Sequence, residues 1–352
     1  MLGEIDRTAD KKAVQTAAPY VEIRNASRSF VQKMSPVEAL LSRAGMNYSD
    51  RVVQAVSDVT LEIPRGTALG LVGESGCGKS TLGRMAAGLL SATHGEVIVD
   101  GERMDAGHAG MSVRDMLRVQ MVFQNPMASL NPRQKVVDIV TEAAVYHGLI
   151  RRRDRQDFAA ELLREVGLPP DVLNRLPHQF SGGQRQRIGI ARALSVSPEF
   201  LICDEPVAAL DVLIQAQIIN LLRDLQQRLG LTMLFISHDL AVVEYICDTV
   251  IVLYLGRVME MAPATELYAN PRHPYTRALL SAIPEPVPGR ASQRQVLVGD
   301  IPSPANPPSG CVFRTRCPYA VAACAKLVPP LDHVTPDHRV ACIRKDELAG
   351  VA

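Results

Sequence analysis

The chain of 352 residues contains no tryptophan, and aromatic residues make up only 4% of it. It also lacks an excess of either charge, because 38 basic and 37 acidic residues leave a formal net charge of +1. A near-neutral chain gives no electrostatic reason for bulk binding to nucleic acid or to anionic membranes, so we predict no nucleic-acid partner. The short basic stretch 151–155 contains an acid and is more typical of a solvated helix face.

Long apolar runs are absent as well. The most apolar stretch, residues 234–256, is interrupted by His238, Asp239, Glu244 and Asp248, whereas a membrane-spanning helix needs about 20 apolar residues in a row. Residues 1–19 have no apolar core resembling a secretion signal, and we predict that they form a flexible N-terminal arm. Together these features predict a protein that is made and kept in the cytoplasm.

Strand-like and helix-like segments alternate along most of the chain. Residues 20–110 contain short apolar runs separated by glycine or proline turns, residues 111–189 are mainly helical, and alternation returns over 190–262. This pattern predicts an α/β fold with a mostly parallel sheet, forming a nucleotide-binding core with an inserted helical subdomain. Residues 263–352 are rich in proline, which predicts an irregular C-terminal extension.

The segment GESGCGKS, residues 73–80, matches the phosphate-binding pattern G-x-x-x-x-G-K-[ST]. An apolar strand precedes it and a helix follows it, which is the context that the motif requires. Backbone amides can surround the β-phosphate, Lys79 can contact the β- and γ-phosphates, and Ser80 can bind Mg²⁺. The segment therefore predicts a nucleoside triphosphatase with these phosphate-binding residues: Gly73, Ser75, Gly76, Cys77, Gly78, Lys79, Ser80 and Thr81.

Polar residues at the ends of other apolar strands are candidates for the chemistry. FLICDE, residues 200–205, ends in Asp204, which can hold a metal, and Glu205, which can polarise an attacking water. Gln124 follows the strand VQMVF and can reach metal or water, or it is a loop residue. His238 can contact the γ-phosphate, or it is a capping or buried structural histidine.

A second candidate phosphate contact lies at FSGGQ, residues 180–184. Ser181 and Gln184 have the spacing of a capping box, which predicts a helix that begins here with free amides. The glycines Gly182 and Gly183 at such a helix N-terminus favour an anion. The motif at residues 73–80 does not explain why one triphosphatase would have a second, separate phosphate contact.

In this order and spacing, the segments over roughly residues 20–260 resemble an ATP-binding cassette. GESGCGKS resembles the Walker A loop, FSGGQ the family signature, FLICDE the Walker B strand, and AALD (208–211) the D-loop that contains Asp211. Gln124 resembles the Q-loop glutamine, Glu205 the catalytic glutamate and His238 the switch histidine. The resemblance implies a P-loop NTPase cassette that binds and hydrolyses ATP.

The same resemblance implies how the two phosphate contacts are used. Two cassettes pair head to tail, so that the signature residues Ser181, Gly182, Gly183 and Gln184 complete the partner's nucleotide site. Mg²⁺ is implied beside Ser80, Gln124 and Asp204. The resemblance implies that Phe30 or Tyr48 stacks on adenine. The alternative is that both residues belong to the core.

The segments 270–284 and 299–324 closely resemble the C-terminal extension of oligopeptide, dipeptide and nickel importer ATPases. This resemblance implies an ATPase that energises peptide uptake, with nickel or another small solute, or a soluble non-transport ATPase, as alternatives. Residues 204–217 look more like the second member of a heterodimeric ATPase pair. The implied partners are another ATPase, two transmembrane permeases and an extracytoplasmic binding protein, with this chain peripheral at the cytoplasmic face of the inner membrane.

Four of the seven cysteines fall within the last 42 residues: Cys311, Cys317, Cys324 and Cys342. In a reducing compartment, clustered cysteines favour metal ligation over disulfides. Their spacing, C-x5-C-x6-C-x17-C, differs from the close pairs of zinc modules. Some relatives of the importer ATPases carry a [4Fe–4S] cluster on such cysteines, so the resemblance implies a cluster here, with zinc or unligated thiols as the alternatives.

Overall fold

A computed structural model gives the structure and describes residues 18–34, 50–104, 112–208, 210–283, 295 and 297–348. The strands are β1 Val21–Gln32, β2 Arg51–Ile63, β3 Ala68–Val72, β4 His94–Val99, β5 Glu102–Arg103, β6 Val119–Val122, β7 Phe200–Asp204, β8 Thr232–Ile236, β9 Thr249–Tyr254, β10 Arg257–Pro263, β11 Asp332–Thr335 and β12 His338–Val340. The α-helices are α1 Lys79–Ala86, α2 Val113–Arg118, α3 Pro126–Ser129, α4 Val136–Tyr146, α5 Arg155–Glu165, α6 Gly182–Leu194, α7 Val212–Leu229, α8 Leu240–Ile246, α9 Ala264–Ala269 and α10 Pro274–Ser281. Short 3-10 helices span Arg152–Asp154, Pro170–Asn174, Pro177–Gln179 and Ala322–Ala325.

The main sheet has eight strands in the order β11-β12-β10-β9-β3-β8-β7-β6. The five strands from β9 to β6 are parallel, and β10, β12 and β11 continue the sheet antiparallel. Strands β3, β7 and β8 are buried along their whole length, as expected for parallel strands covered on both faces. The predicted α/β fold with a mostly parallel sheet is confirmed.

Side-chain alternation along β9 divides the core into two layers. Ile251 and Leu253 face the layer that contains α1 and a second, four-stranded sheet of order β2-β1-β4-β5. Val250, Val252 and Tyr254 face the other layer, which contains α4 to α7 and part of the C-terminal extension. The period of two along a strand therefore places α1, with its phosphate-binding loop, between the two sheets.

The predicted boundaries of the helical subdomain do not coincide with the elements. Strand β6 falls inside the predicted range 111–189, yet it pairs with β7 as the edge strand of the main sheet. Helix α6 begins in that range and continues to Leu194. The sequence predicts this strand as VQMVF, but its short apolar run is flanked by helical segments, so the predicted boundary leaves it in the helical subdomain and not in the sheet.

The C-terminal extension is irregular over most of residues 297–331, but its end is not. Strands β11 and β12 form a hairpin that joins the main sheet, with Val340 opposite Glu260 of β10. Glu260 is fully buried; its carboxylate accepts from the Arg272 and His273 amides, and its Oε1 lies 2.7 Å from Nε2 of buried His338. The prediction of an irregular extension was wrong for this hairpin, because its pairing partner β10 lies far away in the sequence. It was also wrong for helices α9 and α10, which lie within the predicted range 263–352.

Two predictions concern residues that are wholly or largely outside the described ranges. The N-terminal arm, residues 1–19, is described only at its last two positions, and Tyr48 lies in the gap between β1 and β2.

Among the helices of the described ranges, none combines the length and the apolar character that crossing a membrane requires.

Candidate nucleotide site

The candidate site lies at the carboxyl edge of the parallel strands. The phosphate-binding loop follows β3, Gln124 follows β6, Asp204 and Glu205 stand at the end of β7, and His238 follows β8. These strands are neighbours in the order β3-β8-β7-β6, so the residues that follow them meet at one edge. The sheet thus assembles residues that are far apart in the sequence.

The phosphate-binding loop ends at a helix whose N-terminus has no side-chain cap. Gly78, the N-cap residue of α1, has φ 105°, and a Cβ there would lie 2.1 Å from the Ala55 carbonyl oxygen, so only glycine fits. Lys79 is 4% exposed, and its Nζ donates to the carbonyls of Gly73 (2.7 Å) and Glu74 (3.0 Å). The loop therefore presents helix amides and a fixed ammonium to an anion.

Ser80 and Asp204 form the contact between the phosphate-binding loop and β7. The Ser80 hydroxyl donates to Asp204 Oδ1 over 2.8 Å, and Asp204 is 3% exposed. Burial raises the pKa of Asp204, and the hydrogen bond from Ser80 acts in the opposite direction. A hydroxyl and a carboxylate side by side are oxygen ligands of the kind that Mg²⁺ prefers.

Glu205 is held between two other strand ends. Its Oε2 accepts a hydrogen bond from Gln124 Nε2 (2.8 Å) and lies 3.5 Å from His238 Nδ1. Its backbone has φ 45°, unusual for a non-glycine residue, and its amide donates to the Ile236 carbonyl over 3.0 Å. The fold thus holds the Glu205 carboxylate beside Gln124 and His238, where it can accept a proton from water.

The signature segment forms the predicted helix start but stands apart from the phosphate-binding loop. The capping box is present, since the Ser181 hydroxyl accepts from the Gln184 amide and the Gln184 side chain accepts from the Ser181 amide. Ser181 and Gly182 are exposed, whereas Gly183 is buried against Ile214 of α7. Within the described parts of the chain, no hydrogen bond or ion pair joins residues 181–184 to residues 73–81.

Most of the remaining predicted binding residues lie on the surface or near it, and one, Cys77, is buried. Phe30, on β1, is 39% exposed, and the Arg28 guanidinium lies 4.8 Å from its ring centre. Asp211 is the exposed N-cap residue of α7 and makes no side-chain capping bond. Ser75 and Gly76 are exposed, Cys77 is buried, and Thr81 in the first turn of α1 is half-buried.

One residue of the loop, Glu74, and two residues that contact it, Tyr275 and Arg316, were not among the residues predicted from the sequence. The Glu74 carboxylate accepts two hydrogen bonds from the Arg316 guanidinium, and the Glu74 amide donates to the Tyr275 hydroxyl. Glu74 stands at a variable position of the loop pattern, and the other two belong to the extension. No motif spacing links them, so only the folded chain reveals the contact.

The four cysteines of the extension line one cavity, together with His273, Phe313 and other residues. Burial raises the pKa of Cys317 to about 11 and also raises that of Cys311 and of Cys342. Across the ranges that the structure describes, no group of three or more His, Cys, Asp or Glu side chains is arranged to hold a metal ion. The chain therefore brings four thiols to one place without forming a ligand set there.

Two family models match the chain. Residues 56–208 match the model described as "ABC transporter", and residues 259–324 match the model described as "Oligopeptide/dipeptide transporter, C-terminal region". Among solved structures, the dimeric post-hydrolysis form of the ATP-binding cassette MJ0796 with ADP and Pi is similar, with a TM-score of 0.58 and 27% identity. That match covers 69% of this chain and 98% of the other.

Curated relatives resemble the chain over nearly their whole length. A Brucella ovis protein, named as a peptide import ATP-binding protein, is 57% identical over 309 residues, covering 87% of this chain and 98% of the relative. The oligopeptide transport ATP-binding protein OppF of Escherichia coli K12 is 50% identical over 305 residues, covering 85% and 90%. The chain therefore belongs to the ATP-binding cassette ATPases, in the branch that carries the oligopeptide/dipeptide transporter C-terminal region.

Proposed function

We propose that this chain is the ATP-hydrolysing subunit of an importer that moves peptides across the cytoplasmic membrane. The structural observation that supports ATP hydrolysis is that Ser80, Asp204, Gln124 and Glu205 lie together at the phosphate-binding loop. These residues come from three separate segments, and their side chains meet in two hydrogen-bonded pairs. A loop that served only as a phosphate anchor would not need the second pair.

We assign roles according to the chemistry of each group. Ser80, Asp204 and Gln124 would hold Mg²⁺, directly or through water, because their oxygens lie at the same edge of the sheet. Glu205 would accept the proton of the attacking water, while Gln124 keeps its carboxylate in place. His238, which is 58% exposed beside Glu205, would contact the γ-phosphate. Phe30 would stack on adenine.

We propose that the signature helix acts in a partner's site. Its N-terminus is exposed, and among the described residues no hydrogen bond or ion pair joins it to residues 73–81, yet its free amides suit a phosphate. Beside it, Val212 and Leu213 at the start of α7 are 79% and 80% exposed, and neighbouring exposed apolar side chains of this kind favour a protein–protein contact. A second ATPase chain, paired head to tail, would cover them and receive Ser181, Gly182 and Gly183. The similar MJ0796 cassette is described as dimeric.

Peptide is the substrate class that the relatives' names support, since they describe peptide import and oligopeptide transport. We propose that two transmembrane permeases carry the peptide, that an extracytoplasmic binding protein delivers it, and that this chain binds the permeases from the cytoplasmic side. ATP-driven closure of the two cassettes would then move the permeases between their inward-open and outward-open forms.

Reconstitution tests this proposal. The full chain is combined with its second ATPase and the two permeases in proteoliposomes, and uptake of a labelled peptide is measured with and without ATP. We expect ATP-dependent uptake that is lost with Lys79→Ala. Uptake of Ni²⁺ but not of peptide would reject the substrate class, and failure to co-purify with any permease would reject the transport role.

We also propose that the four cysteines hold a [4Fe–4S] cluster. The support is that all four line one cavity, and that thiolates of this number suffice for such a cluster. The thiols would have to lose their protons and move closer, because the described residues form no ligand set as they stand. Iron content and visible absorption of anaerobically purified protein test this proposal, with Cys317→Ser as the variant and Cys247→Ser, away from the cavity, as the control. Equal iron in both would reject it.

A further inference from the structure

Glu74, inside the phosphate-binding loop, is held by three separate contacts. Its carbonyl accepts from Lys79 Nζ at 3.0 Å, its amide donates to the Tyr275 hydroxyl at 3.0 Å, and its carboxylate is bound by Arg316. Two of these three partners belong to the C-terminal extension, not to the cassette core. The conformation of the loop therefore depends on residues more than 200 positions away, as the separations of 201 and 242 show.

The contact between Arg316 and Glu74 is a two-point ion pair. Nη1 donates to Oε2 over 2.6 Å and Nη2 donates to Oε1 over 3.0 Å, so both planar groups are fixed in orientation. The side chain of Arg316 is only 7% exposed and that of Glu74 is 24% exposed. Solvent screens such a pair much less than a surface ion pair, and the fixed geometry defines where the loop lies.

Arg316 is itself held by a packed support. Its amide donates to the Phe313 carbonyl over 3.0 Å, in the same turn that carries Cys311 and Cys317. The Phe313 ring packs against Tyr254 and Tyr275, with ring centres 5.3 and 5.2 Å apart. Tyr275 thus contacts both the Phe313 ring and the Glu74 amide, which connects the aromatic cluster to the loop residue that Arg316 binds.

We infer that Arg316 is a positioning residue of the ATP site, acting through Glu74 to hold the phosphate-binding loop in its binding conformation. This inference rests on the proposed role of the loop in ATP binding. The side-chain ion pair that the structure gives for Arg316 is with Glu74 of the loop, so we expect Arg316 to act on the conformation of the loop and not on the reacting atoms. Its loss should therefore weaken ATP binding more than it slows the chemical step.

The test measures ATP affinity and steady-state hydrolysis for the full chain carrying Arg316→Gln, Glu74→Gln or both. We expect Arg316→Gln to raise the Kd and the KM for ATP about three- to tenfold and to change kcat by no more than about twofold. A tenfold change in Kd corresponds to about 1.4 kcal/mol of binding free energy. The double variant should be no weaker than the worse single variant, because both changes remove the same contact. Arg316→Lys, which keeps the charge but not the two-point geometry, should recover part of the affinity.

Arg314→Gln is the matched control, because Arg314 stands on the same turn and donates to the Ser309 carbonyl, not to the loop. A thermal melt of each variant separates loss of affinity from loss of folding. Unchanged ATP affinity in a folded Arg316→Gln protein would overturn the inference, and so would an equal effect of Arg314→Gln. If Arg316→Gln does not fold, Glu74→Gln with unchanged affinity would overturn it as well. If the unmodified chain does not bind ATP, the proposed function fails instead.

Discussion

Gln124 and Glu205, 81 positions apart in the chain, are joined by a hydrogen bond of 2.8 Å from the amide Nε2 to Oε2. The two residues follow β6 and β7, which are adjacent parallel strands. The bond holds one carboxylate oxygen of Glu205 and leaves the other to accept a proton. It also links the start of the helical region, which follows Gln124, to the candidate catalytic residue.

Replacing Glu205 with glutamine should leave ATP binding intact and lower hydrolysis by about 100-fold or more, because an amide cannot accept the proton of the attacking water. Phosphate release and nucleotide binding measured on the same preparation check this, and size-exclusion chromatography with ATP should show a trapped dimer. Glu165→Gln, at the exposed end of α5, is the control. Hydrolysis at the unmodified rate in Glu205→Gln would remove Glu205 from its proposed role.

Replacing Asp204 with asparagine should stabilise the ATP-free protein while abolishing Mg²⁺-dependent hydrolysis. The pKa of Asp204 is raised in the folded state, so the folded state binds more protons than the unfolded state above the ordinary pKa of 3.8, and stability falls as the pH rises through that window. Asparagine removes this cost and can still accept the Ser80 hydrogen bond. Thermal midpoints at pH 7 should rise by a few degrees without ATP. A lower midpoint would contradict this account of Asp204.

Gly183→Ala should destabilise the signature helix, because the new Cβ would lie 2.4 Å from Ile214 Cγ2. Overpacking of this kind costs about 1–3 kcal/mol. Gly189→Ala on the same helix is the matched control, since its Cβ would meet nothing within 4 Å, and alanine is the better helix former. Denaturant unfolding compares the two. The double variant Gly183→Ala with Ile214→Ala should recover part of the loss, and no recovery would mean that the crowding lies elsewhere.

The protein should lose stability as the pH falls from 6.5 towards 4, in part because of His273. Burial lowers the pKa of His273 to about 4, and its neutral Nδ1 accepts from the Tyr275 amide at the start of α10. The unfolded state therefore takes up the proton first, and up to about 3 kcal/mol is lost across this window.

His273→Asn, which keeps a capping acceptor, should flatten this part of the stability profile. His333→Asn, at an exposed position, is the control and should leave the slope unchanged. The unmodified chain and His273→Asn differ only at position 273, so the difference between their stability profiles isolates His273. Equal slopes for the unmodified chain and His273→Asn would show that another group causes the acid sensitivity.

Local patterns were sufficient for much of the fold and of the site. The loop at residues 73–80, the capping box at Ser181 and the strand that ends at Asp204 each lie within a few consecutive residues, and the structure contains all three. Sequence patterns did not predict the sheet position of strands whose pairing partners lie far away in the sequence. The hairpin of β11 and β12 joins the sheet only through β10, and β6, although predicted as a strand, was assigned to the helical subdomain because its partner β7 lies far away in the sequence.

The sequence by itself determined the family motifs, their order and the chemical groups that each supplies, because these depend on residue types at short spacing. Only the tertiary structure decided that the extension contacts the predicted phosphate-binding loop. The Arg316–Glu74 ion pair spans 242 positions, and such a contact is formed by the packing of two distant segments, which no local pattern encodes. The same holds for the four cysteines, whose spacing was visible from the start but whose common cavity was not.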